Sequence, residues 1–189
     1  MLTPTSVAPW VRSPAFEKDW IATKELKDLL AGAIARRPAR LTHDEFDRVL
    51  DWKLENQRPR VERLLKFNTP EVIEEVTRFA LNVRHPDFAY ETSLRLAGLS
   101  ALRGVNIGVA SAVLALCFPA QHAVIDFRGW HQAFGEDRRQ FSVGQYLSYL
   151  DAIRPLATKL RITVQEVDFA LWCRDRSGGV PATTLGKGL

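Results

Sequence analysis

The feature that most limits how this chain can fold is residues 99–130, LSALRGVNIGVASAVLALCFPAQHAVIDFRGW. An apolar-spaced segment closes at Arg103-Gly104, where glycine takes the left-handed geometry that ends a helix. Asn106 is then placed to cap a second helix over residues 107–117. The spacing therefore predicts two helices joined by a very short turn. Gly108, Ala110, Ser111 and Ala112 are small enough for a partner to approach that second helix closely. Its N-terminal amides, with those of the 104–108 turn, form a concave cluster of N–H donors suited to a phosphate oxygen. Nine residues after Cys117 stands Asp126, which follows Val124 and Ile125 and opens a new helical segment. A helix N-terminus keeps such a carboxylate ionised.

The rest of the chain also reads as helix. Residues 1–14, with Pro4, Pro9 and Pro14, are expected to form an irregular arm whose Trp10 and Arg12 dock on the body. Trp20, Leu26, Leu29, Leu30 and Ile34 space a helix over 16–37, stopped by Arg36-Arg37-Pro38. The cluster of Arg36, Arg37 and Arg40 reads as a solvated helix end. Thr42 and Glu45 make a capping box for a helix over 46–57. On it Phe46, Val49, Leu50 and Leu54 define an apolar arc, with Lys53 and Gln57 in its middle. Two polar groups one turn apart on a core-facing stripe are either snorkelling or lining a pocket.

After Arg58-Pro59, a segment with Val61, Leu64 and Leu65 carries Arg58, Arg60, Arg63 and Lys66. This is either an ordinary basic helix face or a set of cations near a nucleic-acid backbone. Thr69-Pro70 starts an amphipathic helix to about residue 83, with Val72, Ile73, Val76, Phe79, Ala80 and Val83 expected inward. His85-Pro86 breaks it, and residues 89–97 lead into the hairpin. Beyond Asp126, residues 128–134 extend a helix with Trp130 as a core anchor, and residues 135–140 read as a loop. Helical spacing returns over 142–159, where Pro155 is expected to force a kink or break. Thr163 and Glu166 form another capping box, opening a helix to Arg176. Residues 177–189 are expected to be a frayed tail. No strand pattern of useful length and no internal repeat occurs, so the expected class is all-α.

Composition sets outer bounds. A chain of 189 residues that is 46% hydrophobic can bury a good core, in one domain or two tightly packed lobes. A net charge of +4 permits an anionic partner without requiring one. No run approaches a membrane span and the first residues lack the apolar core of a signal peptide, so an intracellular protein with no membrane partner is expected. Cys117 and Cys173 sit in apolar helical contexts and read as buried thiols. No metal and no cofactor is expected.

The run Leu102-Arg103-Gly104-Val105-Asn106-Ile107-Gly108-Val109-Ala110, then an apolar helix, then Val124-Ile125-Asp126, resembles the signature of the helix-hairpin-helix base-excision DNA glycosylases. About thirty residues carry that match. The resemblance implies an all-α, two-lobed helical bundle with a cleft between the lobes. One lobe would comprise residues 15–41 and 135–176, and the other residues 42–134, with the hairpin at 99–117. It also implies that Asp126 is the catalytic carboxylate and that Gln57 fills the gap left by an extruded base. Where lyase-type members carry a catalytic lysine this chain has Gly108. Asn106 replaces a usual glycine, while Arg103 and Ala123 replace common prolines. The four-cysteine cluster of several members is absent.

The expected function is therefore a monomeric DNA glycosylase that flips a damaged or modified base and hydrolyses its N-glycosidic bond. A fixed carboxylate stabilises the charge that builds on the sugar as the base departs. Gly104, Val105, Asn106, Gly108 and Arg103 are the candidate phosphate grip, with Arg58, Arg60 and Gln57 as further DNA contacts. The missing lysine implies a monofunctional enzyme, although Lys53 offers an alternative amine nucleophile. Asp126 can equally be a plain helix cap. His122 and His131 are candidate proton donors, though a lone histidine near a helix start is usually incidental. Trp52, Tyr90 and Trp130 are candidate stacking rings, each of the three more simply placed in the core. The competing expectations are a non-catalytic DNA-binding module and an all-α protein–protein adaptor.

Overall fold

Side chains settle the helix ends wherever the sequence offers a capping residue. The structure is a computed structural model describing residues 2–179, and no strand occurs among the described residues. In chain order the helices are α1 (Pro4–Val7), α2 (Pro14–Ala35), α3 (His43–Leu54), α4 (Arg58–Leu65), α5 (Pro70–Asn82), α6 (Phe88–Ser100), α7 (Ile107–Cys117), α8 (Phe127–Phe134), α9 (Val143–Leu160) and α10 (Val164–Arg176). A single 3-10 turn, Glu55–Gln57, joins α3 to α4 among the described residues. The two expected capping boxes form. Glu45 and Glu166 accept the amides of Thr42 and Thr163, both at 2.8 Å, while each threonine hydroxyl accepts an amide in return.

The chain divides into two compact units, residues 2–21 with 118–179, and Ala22–Cys117, so that α2 runs across the division. Residues 22–41 thus group with 42–117, and residues 118–134 with the terminal helices. These boundaries differ from the expected lobes, 15–41 with 135–176 and 42–134.

In the Ala22–Cys117 unit, α7 is the central rod. Every residue from Val109 to Cys117 is buried, and α3 and α6 pack on it, with α5 against both of those helices. Each such buried aliphatic side chain is worth about 1.5–3 kcal/mol relative to exposure. Burial also pushes the Cys117 thiol up to about 12. Polar clamps tie the periphery down. Arg36 donates to both carboxylate oxygens of Glu45, at 2.7 and 2.8 Å, and Arg40 pairs with Glu74. Asn82 exchanges two hydrogen bonds with the Ala39 backbone. Arg95 is only 2% exposed and donates to the Ala80 and Val83 carbonyls and to Glu91, closing the C-terminus of α5 from beneath.

In the other unit α10 is central, packed by α8, α9 and α1. Phe16 and Trp20 meet Phe169 with ring centroids 5.0 and 4.8 Å apart, and Phe169 stacks on Trp172. Trp130 is a core anchor, buried against Phe134 and Phe141.

Several expectations change. The arm is not wholly irregular: Thr3 and Ser6 form a capping box for α1, and Val7 is buried. On α5, Val72 is exposed and Phe79 half-exposed with its ring against Gly98 of α6, while Thr77 and Leu81 take core positions. The Thr77 hydroxyl donates to Ile73 O and accepts the Leu41 amide, so its burial leaves no polar group unmet. Pro155 does not break α9, which runs through to Leu160, anchored by Tyr149, Ile153 and Leu156. Tyr90 is 52% exposed, against Trp130 at 5%. Residues 177–179 are pinned, since the Gly179 amide donates to Arg174 O and its carbonyl accepts from Gln132. The remainder of the expected tail, residues 180–189, lies outside the described residues.

Candidate functional site

The candidate residues divide between the two units. The hairpin, Lys53, Gln57, Arg58 and Arg60 belong to Ala22–Cys117, and Asp126 belongs to the other.

α6 ends at Ser100 and α7 begins at Ile107, with residues 101–106 between them. Gly104 has φ +82°, a conformation that costs an L side chain roughly 1–2 kcal/mol. A Cβ there would also sit 3.0 Å from Leu65 Cδ2 and 3.3 Å from Leu64 Cβ, so glycine is needed for both angle and space. Val105 is buried, Arg103 and Asn106 are exposed, and Gly108 is half-buried. The Val109 amide donates to Asn106 Oδ1 at 3.0 Å, the cap expected from the sequence. That cap takes one of the first-turn amides that have no intrahelical partner.

A residue that sequence reasoning passed over fixes this turn. Asn68, buried after α4, donates from Nδ2 to Arg103 O and accepts the Arg103 amide at Oδ1, both at 2.9 Å. This pairing locks the turn to the end of α4. Beside it the Arg103 guanidinium lies 4.7 Å from the centroid of the Phe67 ring. Arg60, Arg63, Leu64, Lys66 and Phe67 line an open depression of about 600 Å³. The alternation of cations with an aromatic in RPRVERLLKF was a signal for this surface. Nothing local marked Asn68, whose partner lies 35 residues away.

Arg58 does not belong to that surface. It is held by Asp47, Asp51 and Glu62, and these carboxylates raise its pKa. Gln57 does not lie on a core-facing stripe. α3 ends at Leu54, Glu55 takes φ +44°, and Gln57 is exposed on the 3-10 turn, because the helical repeat no longer applies past the break. Lys53 is half-buried in the last turn of α3, as is Trp52.

In the other unit, Asp126 is half-buried at the head of α8. Its Oδ1 accepts the amides of Arg128 and Gly129, both at 2.9 Å, so it caps the helix. The segment leading to it is held by side chains of α9 and α10. Asp168 accepts the Val124 amide at 3.0 Å and the Tyr149 hydroxyl at 2.5 Å. The Tyr146 hydroxyl donates to Ala123 O at 3.0 Å and lies 3.2 Å from His122 Nδ1. Burial, with Asp168 beside it, pushes the Tyr149 pKa well up, so its phenol stays a donor. Gly129 is required here, since a Cβ would collide with the Tyr149 hydroxyl and stand 3.1 Å from Asp168 Oδ1. His131 Nδ1 is 2.8 Å from Asp175, which also accepts from Arg128 and Gln132. His122 is buried and His131 is committed to that cluster.

Among the described residues, no group of three or more His, Cys, Asp or Glu is arranged to hold a metal ion, and no helix is long and apolar enough to cross a membrane. Compared with known proteins, the chain matches no family model, no curated protein and no solved structure.

Proposed function

We propose that this chain is a divergent DNA glycosylase of the helix-hairpin-helix, two-lobed type. In this reading it binds DNA as a monomer, takes a damaged or modified base out of the duplex and hydrolyses its N-glycosidic bond. The observation that carries the reading is the 101–106 turn: a left-handed Gly104 and a capping Asn106, clamped by Asn68 beside a cationic surface. Amides at such a turn grip a phosphate without reading sequence. Arg103 and Arg60 extend the same contact, and Gln57, exposed beyond α3, is available to a DNA strand.

The chemistry falls to Asp126. As the C1′–N bond breaks, the electron pair leaves with the base and positive charge develops on the sugar. A carboxylate held by two amides stabilises that charge and orients the water that attacks C1′. Water then supplies the hydroxyl at C1′, and its proton passes to the carboxylate or the departing base. With Gly108 where an amine would be needed, the product is an abasic site in an intact strand. Lys53 is the one alternative amine in this reading. Borohydride treatment during turnover is expected to trap no protein–DNA adduct, and an adduct lost in Lys53→Ala would assign lyase chemistry instead.

The deciding experiment incubates the purified protein with duplexes each carrying one damaged or modified base, then applies alkali to reveal abasic sites. Asp126→Asn is expected to abolish strand breakage, by at least about 10²-fold, while duplex affinity changes less than about two-fold. Salt-sensitive DNA binding with no base release in either protein would instead describe a binding module. An absence of salt-sensitive binding would remove DNA from the account altogether.

A further inference from the structure

We infer that the exposed face of α4, with the residues that follow it, binds an unpaired stretch of nucleic-acid strand, with a base stacked on Phe67 and phosphates held by Arg60, Arg63 and Lys66. This rests on the reading of the chain as a DNA-binding protein and adds the strand state that one surface accepts. Phe67 is 64% exposed although the Arg103 guanidinium covers part of its ring, so the remaining ring surface is open to solvent. Arg60 and Arg63 on α4 and Lys66 at its C-terminal cap all line the same depression. The local acids do not answer them: Glu62, Asp47 and Asp51 are all drawn to Arg58.

The result is a cation-rimmed depression of about 600 Å³ with Leu64, 46% exposed, and Phe67 as its apolar lining. Because the depression is open, it cannot enclose the apolar anchor through which a peptide would gain affinity. Stacking requires only one free ring face, and each base of an unpaired strand has one to offer, whereas duplex bases are already stacked on one another. Asn68 holds the Arg103 backbone, and from there the guanidinium reaches one side of the Phe67 ring.

Fluorescence anisotropy of the full chain with a labelled short oligothymidylate tests this, beside an abasic sugar–phosphate chain of equal length and an oligoglutamate. Phe67→Ala is expected to weaken oligothymidylate binding about ten-fold and to leave the abasic chain unaffected, while Phe67→Trp restores wild-type affinity. Replacing both Arg63 and Lys66 by Ala is expected to lower the slope of log affinity against log salt by about 1.4. Thermal melting verifies that these exposed-site variants remain folded. Unchanged oligothymidylate affinity in Phe67→Ala overturns the inference, as does oligoglutamate binding as tightly as the oligonucleotide. Base release by the wild-type protein is read separately. Release without a Phe67 effect removes this inference alone, and a Phe67 effect without release removes the glycosylase reading alone.

Discussion

Asn68 and Asp126 present the same problem from opposite directions. Asn68 sits just before Thr69, which caps α5, and in the sequence it looks like one more loop residue. Its side chain instead satisfies both backbone groups of Arg103. Asn68→Ala is expected to cost about 1–2 kcal/mol by leaving those groups without their partner, read as a lower urea midpoint at unchanged slope. It should also loosen the hairpin turn, so duplex affinity falls with stability. Unchanged stability and affinity would show that the turn holds itself. Asp126 was legible because its position after two β-branched residues marks a helix start, and it does cap α8. Its surroundings were not legible. The Tyr149–Asp168 pair that pins the approach comes from two later helices, and Gly129 gives no sign in sequence that a phenol needs its missing Cβ.

At the scale of elements, local rules located most helix starts and failed where one local rule opposed another. Thr42 with Glu45 and Thr163 with Glu166 form reciprocal caps that need no tertiary partner. On α5, hydrophobicity alone pointed Val72 and Phe79 inward, yet the buried face includes Thr77 because its hydroxyl meets the Leu41 backbone. α9 continues through Pro155 although Asp151 loses the amide that its carbonyl would have accepted. Asp151 is exposed, so water can meet that carbonyl, while buried Ile153 and Leu156 hold the helix together. Pro155→Ala is therefore expected to stabilise the protein by about 2 kcal/mol, seen as a rise in Tm. A lower Tm would mean that proline's restriction of the unfolded chain outweighs the restored hydrogen bond.

For the molecule as a whole, acid resistance rests on carboxylates in both units. Burial raises the pKa of Asp175, Glu45 and Glu91, but hydrogen bonds and cations around each outweigh it. Their net pKa values lie below the ordinary 3.8 for aspartate and 4.5 for glutamate. A carboxylate depressed in the folded state contributes stability that is fully present above its unfolded value and lost as pH falls through its folded one. Unfolding free energy is thus expected to be flat with respect to these groups near neutrality and to decline below about pH 4.5. Glu45→Gln, which removes the partner of Arg36, should make that decline shallower, as measured by urea titrations across the acid range. An identical acid profile in the variant would remove Glu45 from the account.

The sequence by itself determined the all-helical class, the capping boxes at Thr42 and Thr163, the Asn106 cap and the left-handed turn at Gly104, since each depends on residues within a turn or two of one another. Only the tertiary structure decided that Arg58 would be consumed by three carboxylates, that Gln57 would leave the helical stripe, and that Phe67 would stand open beside Arg103. The reach of Arg58 back to Asp47 and Asp51 and of Arg103 to Phe67 joins different elements by packing, and the break at Glu55 turns Gln57 off the stripe. Neither leaves a periodic trace in the chain.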